Sequence, residues 1–253
     1  MLVLYVEAPF AVCRTFTAGW YRPTATFLTP SAAYGLLLNL AGVDTRLREE
    51  EPGYPLKAGV PATATRPGLP GAKIALGASA VKFRRGRAVP LDDGEEPYPR
   101  VQTVYQQLHN YPVGSSGGDR ADATFGNKYN ISPVRREVLV GLRAVIAVDA
   151  SSELEHQVRR GVEGASPVGR YGLPFLGDNA FLADRIEVLE SAPATHWYER
   201  LTADGEKVRP RASRLTVWID RTDTSRTRSD LYAPTTSATS DIPPSAWTDI
   251  NPP

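Results

Sequence analysis

One cysteine, one methionine and three histidines among 253 residues leave little material for the commoner kinds of site chemistry. With Cys13 alone there is no internal disulfide and no thiolate metal cluster. Neither HxxxH-like spacing nor paired carboxylates mark a metal centre, so no metal and no cofactor is expected. The longest apolar stretches, such as Leu36 to Leu40, are far too short to cross a bilayer. The opening MLVLYVEAPF lacks a positive n-region and a small-residue cleavage site. It reads as a strand, and a cytoplasmic protein with no membrane attachment is the expectation.

A content of 42% hydrophobic and 23% charged residues fits a globular chain able to bury a core, as one large domain or a domain with an appendage. The net charge of +1 conceals segregation. The run Lys82, Arg84, Arg85, Arg87 contains no acid, and seven basic residues between Lys207 and Arg228 face only Asp220 and Asp223. Acids gather at Glu49 to Glu51 and Asp92 to Glu96. Such a pattern makes either a basic face for a polyanion or an ordinary solvated surface.

Leu2 to Glu7 is β-rich and opens the chain as a strand. TPSAAYGLLLNLAG is the clearest helix: Thr29 suits the N-cap, Pro30 the first helical position and Gly42 the C-terminal stop. Its Ala33, Leu36, Leu37 and Leu40 share a face for packing on a sheet. Residues 45–72 read as an irregular connection, Lys73–Phe83 and Arg100–Leu108 as strands. Glu137–Val148 is the best strand: Val138, Val140, Leu142, Ala144, Ile146 and Val148 alternate onto one face, Glu137 and Arg143 onto the other. Ser152 with Glu155 forms a capping box before a short helix. Asp184–Leu189 is a further strand, and His196–Leu201 with Arg214–Asp220 reads as a hairpin-like pair. From Thr222 onward the Ser, Thr, Pro and Asp content predicts a tail that is disordered or drapes on a partner. The order strand, helix, strands, helix, strand predicts an α+β fold with a ferredoxin-like βαββαβ core. A long polar insertion falls between the second and third core strands.

Two stretches carry most of the functional information. In AGWYRPTATFLTPSAAYGLLLNLAG, aromatics and an arginine precede a capped helix. Arg22 can pair with phosphate in bidentate fashion, and Trp20 or Tyr21 can stack on an unpaired base. Trp20 fits a core edge equally well, and Phe27 reads as core. In HNYPVGSSGGDRADATFGNKYNISPVRREVLV, a glycine-dotted loop carries Arg120, Asn127, Lys128, Tyr129, Arg135 and Arg136. Cations along a backbone and planar groups for splayed bases are what single-stranded RNA requires. An exposed strand start would explain Arg135 and Arg136 as well.

Five segments in this order, VEAPFAVCR, YRPTATFLTPSAAYGLLLNLAG, HNYPVG, GNKYNISPVRREVLVGLRA and RYGLPFLGDN, resemble the fifth CRISPR-associated protein family, and within it the DevS-like members of type I effector modules. The resemblance spans roughly residues 1 to 200. It implies a RAMP-type, ferredoxin-like RNA-binding domain over 1–192 with a protruding thumb at about 109–133, and a glycine-bearing loop supplied by GLPFLGDN. Residues 193–221 would then be a C-terminal β appendage and 222–253 the tail. It further implies a non-catalytic subunit that holds the 5′ handle of a guide RNA in a Cascade complex. The partners would be that RNA, a row of repeated backbone subunits and a large subunit, with target DNA met only through the complex. Arg14, Arg22, Lys128, Arg135 and Arg136 would meet handle phosphates, with Arg120 and Asn127 beside them. Tyr21, Tyr34 and Tyr129 would stack on or bond to bases, and amides near Ser31 would take a phosphate at the helix start.

Two other readings stand beside the clamp. Some relatives cut precursor RNA without metal through tyrosine, lysine and histidine, for which His109, Tyr111 and Lys128 are the candidates here. A protein-interaction scaffold with no RNA contact would show the same core patterning.

Overall fold

A computed structural model describes residues 1–15, 21–47, 51–54, 65–112, 129–166, 169, 172–202, 209–221 and 223–252, with backbone alone at 107–112, 129–133 and 224. Four strands form the centre of one antiparallel array: β1 (Leu2–Ala11), β3 (Ala72–Ser79), β7 (Tyr129–Ala150) and β8 (Arg185–Leu189), in the order β3-β7-β1-β8. Helix α1 (Pro30–Ala41) connects toward β3 and α2 (Ser152–Val162) toward β8. The mixed architecture is therefore α+β, rich in sheet and poor in helix.

Helix α1 begins and ends where its sequence dictates. Thr29 accepts from the Ala32 amide at 3.2 Å, Pro30 follows, and Gly42 closes the helix at φ 73°. Its buried side reaches almost all the way round, because Leu36, Leu37 and Leu40 meet the sheet while Tyr34 lies near Trp218. Helix α2 starts one residue earlier than its pattern suggests. Ser151, not Ser152, is the N-cap and accepts from Leu154, while Glu155 reaches back to the Ala150 amide. The two helices touch so closely at Gly161 that a Cβ there would lie 1.8 Å from the Leu40 carbonyl oxygen.

Strand β7 spans 22 residues and belongs to two structures at once. Its inner half pairs with β1 and β3, and its outer half with β6 (Arg100–Pro112), which lies beside it from Arg100↔Val140 to Pro112↔Tyr129. The two halves meet at Gly141, whose φ is 71°. There β1 and β7 change phase together without losing register: Ala8 and Leu142 face the helices on one side of the junction, Ala11 and Leu139 on the other. The predicted unbroken alternation through Val140 is thus corrected. A left-handed glycine resets it.

The C-terminal third is woven into the same sheet. β9 (Thr195–Arg200) pairs with β3, β11 (Arg228–Pro234) pairs with β9, and β10 (Ser213–Trp218) pairs with β11. β9 and β10 therefore do not pair with each other as expected; β11 lies between them. β12 (Trp247–Ile250) runs along β3. The expectation of a disordered or draped tail over 222–253 is overturned, because Tyr232, Ala246 and Ile250 are buried and the Tyr232 hydroxyl bonds Thr248 at 2.8 Å. Apolar groups few in number but correctly spaced suffice when a sheet edge is available to satisfy the backbone.

The face of the sheet away from the helices is covered too. Strands β4 (Val81–Arg84) and β5 (Arg87–Pro90) form a hairpin that sets Phe83 on Tyr5, with ring centroids 4.6 Å apart. Behind it the acidic connection folds down: Lys82 binds Asp92 and Glu95, and Arg143 binds Glu95 at 2.6 Å and the Glu96 carbonyl at 2.7 Å. The Asp92 amide, then Lys82 and Arg143, bring the Glu95 carboxyl down to about 2. Part of the charge that looked segregated in sequence is neutralised here. In the second basic stretch Arg209 pairs with Glu199 and Arg211 with Glu96. No described helix is long and apolar enough to cross a membrane.

Candidate nucleic-acid interface

Four arginines, Arg14, Arg22, Arg135 and Arg136, come together where the outer half of β7 leaves the body. β2 (Tyr21–Arg22) pairs in parallel with β7, setting Tyr21 beside Arg135 and Arg22 beside Arg136. Arg14 is bridged to Thr24 just behind, held by Ala25 donating to the Cys13 carbonyl at 2.7 Å. Consecutive side chains on a strand point to opposite faces, so this edge has two faces with different contents.

One face is built on a buried ion pair. Arg136 is only 3% exposed; its Nη2 lies 2.7 Å from Asp178 Oδ2, Nη1 donates to Gln106 at 2.7 Å, and Phe181 lies against the guanidinium. Arg14 and Arg22 sit close enough for Arg14 to feel both neighbouring arginines. Burial, then Arg136 and Arg22, push its guanidinium below its ordinary value, and Asp178 opposes them. At Asp178, burial alone would raise the carboxyl. The Ala180 amide, Arg136 and Arg14 outweigh it and leave the group below the usual carboxylate range. Arg136 and Arg14 both act on the one aspartate, and Arg22 stands beside them. The excess positive charge is a ready seat for an anion, and Arg14 and Arg22 have no ion pair with a carboxylate among the described residues.

Asp178 is placed by the loop that follows α2. Phe175 bridges to Leu182, the Leu176 carbonyl accepts from the Val12 amide at 3.0 Å, and the Leu176 amide donates to the Phe181 carbonyl at the turn's neck. Gly177, at φ 79°, comes so near β1 that a Cβ would stand 1.5 Å from the Val12 carbonyl oxygen. Only glycine meets both demands.

The other face carries Tyr21, Arg135 and Glu137. Tyr21 donates its hydroxyl to Glu137, which raises the phenol, and Glu137 also accepts from the Thr24 amide at 2.9 Å. The Arg135 guanidinium lies over the Tyr21 ring, 5.5 Å from its centroid.

The structure brings together Arg14, Tyr21, Arg22, Arg135 and Arg136 out of the residues singled out in sequence. Two assignments are corrected. Tyr34 is buried, with its hydroxyl bonded to the Pro70 carbonyl at 2.7 Å, so it is a core residue and presents no face to a base. Arg136 is enclosed and paired with Asp178, so it organises the site and is not open to a phosphate. Ser31 is half-buried and its hydroxyl pairs with that of the cap residue Thr29. Trp20, Arg120, Asn127 and Lys128 lie outside the described residues, as does most of the expected thumb; Tyr129 is described by its backbone at the start of β7. Of the nuclease candidates, His109 and Tyr111 lie on β6, and Lys128 is outside the described residues. Sequence reasoning missed Asp178, although it stands in the segment RYGLPFLGDN. It also missed Tyr105, the one aromatic in the exposed first part of β6.

A solved chain described as "CRISPR RNA-guided surveillance complex" superposes with a TM-score of 0.51 at 12% identity, covering 94% of this chain and 90% of that one. The likeness is one of fold. No family model matches the sequence, and no curated protein does.

Proposed function

We propose that this chain is a guide-RNA-binding subunit of a CRISPR surveillance complex, of the RAMP type and similar to the DevS-like members of the fifth CRISPR-associated family. The β3-β7-β1-β8 order with two helices on one face supports reading the core as ferredoxin-like, with the C-terminal strands as an extension of that sheet. The β6–β7 hairpin, which leaves the core at Gly141, would form the root of the thumb.

The observation that carries the reading is the convergence of Arg14 and Arg22 over the Arg136–Asp178 pair at that root. Direct contacts would come from Arg14, Arg22 and Arg135 to phosphates, with Lys128, Arg120, Asn127 and Tyr129 extending the grip along the thumb. No base-edge reading is needed to hold a repeat-derived 5′ handle in place, because phosphate contacts position a strand without specifying it. Sequence recognition of the target would remain with the guide's own pairing. Backbone subunits, the large subunit and target DNA would meet this chain only in the assembly.

The test is a nucleotide-resolved nuclease footprint of guide RNA in the reconstituted complex. With the wild-type chain the 5′ end should be protected, and Arg22→Ala should expose a short stretch there while the remainder stays covered. Protection unchanged by Arg22→Ala together with Arg14→Ala would contradict the reading.

A further inference from the structure

The face of β2, β7 and β6 opposite the buried Arg136 holds a row of three side chains on three adjacent strands. Tyr21 is in register with Arg135, and Arg135 is in register with Tyr105 on the far side. Neighbouring strands lie about 4.8 Å apart, so the three groups stand side by side on one surface. Glu137 anchors Tyr21 by its hydroxyl, and Arg135 lies over the Tyr21 ring. Tyr105 has no such neighbour. It is 75% exposed, and among the described residues it makes no hydrogen bond and no ring contact. A large aromatic side chain held this far into solvent at a fixed position on a strand costs hydrophobic free energy that a flat ligand would recover.

We propose that Tyr105, with Arg135 in register on the adjacent strand, is a stacking platform for one unpaired nucleobase of the bound RNA. The inference rests on the RNA-binding reading and adds to it a residue and a role. Three observations favour a base over a protein side chain. The centre of the row is an arginine with no carboxylate at ion-pair distance among the described residues, suited both to a π-face and to the adjoining phosphate. The neighbours on the same face, Thr103 and Glu137, are polar, which suits a wet single-strand contact better than an apolar docking patch. Finally, β2 is short and lies on the side of β7 away from β6. A strand turning over it would meet Arg22 and Arg14 on one face and the Tyr21–Arg135–Tyr105 row on the other. The platform would take any base, because every base has a π-face, and it would therefore fix the strand's path without selecting its sequence.

The experiment measures binding of a short single-stranded RNA and of a series of the same RNA with one abasic site moved through each position. The wild-type protein should show one position where loss of the base weakens binding by roughly 5- to 100-fold. Tyr105→Ala should weaken the intact RNA by a similar factor and abolish the sensitivity at that position, while Tyr105→Trp restores both. Since Tyr105 is exposed, the variants should unfold at the wild-type midpoint, which separates stacking from folding. Abasic sensitivity that persists in Tyr105→Ala overturns the platform and leaves the RNA-binding reading intact. Unchanged RNA affinity in Tyr105→Ala with loss of a protein subunit from the complex assigns the row to a protein contact and overturns it equally. Failure of the wild-type chain to bind RNA overturns both.

Discussion

Gly177→Ala should destabilise the fold by roughly 2–5 kcal/mol, the combined cost of forcing an L-residue into left-handed backbone and of overpacking a closed contact. The added methyl would sit 1.5 Å from the Val12 carbonyl oxygen, which belongs to backbone and has no rotamer in which to escape. Relief requires lifting the 174–183 loop from the end of β1, breaking the Val12-to-Leu176 hydrogen bond and carrying Asp178 away from Arg136. One methyl group thus reaches both stability and the arginine cluster. Denaturant unfolding measures it. A midpoint shift worth less than about 1 kcal/mol, the size of an ordinary substitution, would show that the loop does not rest on Val12 as described.

Asp178→Asn should cost about 3 kcal/mol, because an enclosed guanidinium is left without its counter-charge. The shape is nearly preserved, and the Ala180 amide can still donate to the carbonyl oxygen of the substituted side chain, so the loss is electrostatic. Arg136 cannot relax into water without displacing Phe181 and Gln106. Introducing Arg136→Met alongside it should recover most of the loss, since removing both charges removes the unpaired one. Thermal and denaturant unfolding of the two single variants and the double variant complete the cycle. Additive single losses, with no recovery in the double variant, would dissolve the pair as an energetic unit. Taking the aspartate away also leaves the surface around Arg14 and Arg22 more positive, so weakened folding should not be accompanied by weakened attraction for polyanions at low salt.

What could be read in advance was local. The start and stop of α1 follow from Thr29, Pro30 and Gly42, three residues within one stretch of chain, and each took its expected place. The α+β content and the order of the main elements were legible for the same reason. Pairings between distant segments were not. That β11 inserts between β9 and β10, and that β12 takes the side of β3, depend on surfaces formed elsewhere in the chain. The phase change at Gly141 was hidden because it is shared with β1, whose half of the kink lies far earlier in sequence.

The same division runs through the site. Alternation along a strand required Arg135 and Arg136 to face opposite ways. Which of the two would be buried was decided by the loop carrying Asp178 and Phe181, far along the chain. Tyr34 sits on a helix that looked one-sided, and it became core because Trp218 and the Pro70 carbonyl close over its outer side. Basic runs misled for a related reason. Within those runs Lys82, Arg209 and Arg211 are spoken for by acids brought from other segments, whereas Arg14 and Arg22, which belong to neither run, have no such partner among the described residues. Charge on a sequence becomes charge on a surface only after such pairings are subtracted.

The decisive measurement is the dissociation constant for single-stranded RNA as a function of salt, for the wild-type chain and for Arg14→Ala with Arg22→Ala. Each lost phosphate contact on a single strand should reduce the slope of log K against log salt by about 0.7, so the double variant should fall short of wild type by about 1.4. A double variant with the wild-type slope and affinity, or a wild-type chain that binds no RNA at low salt, would contradict the account.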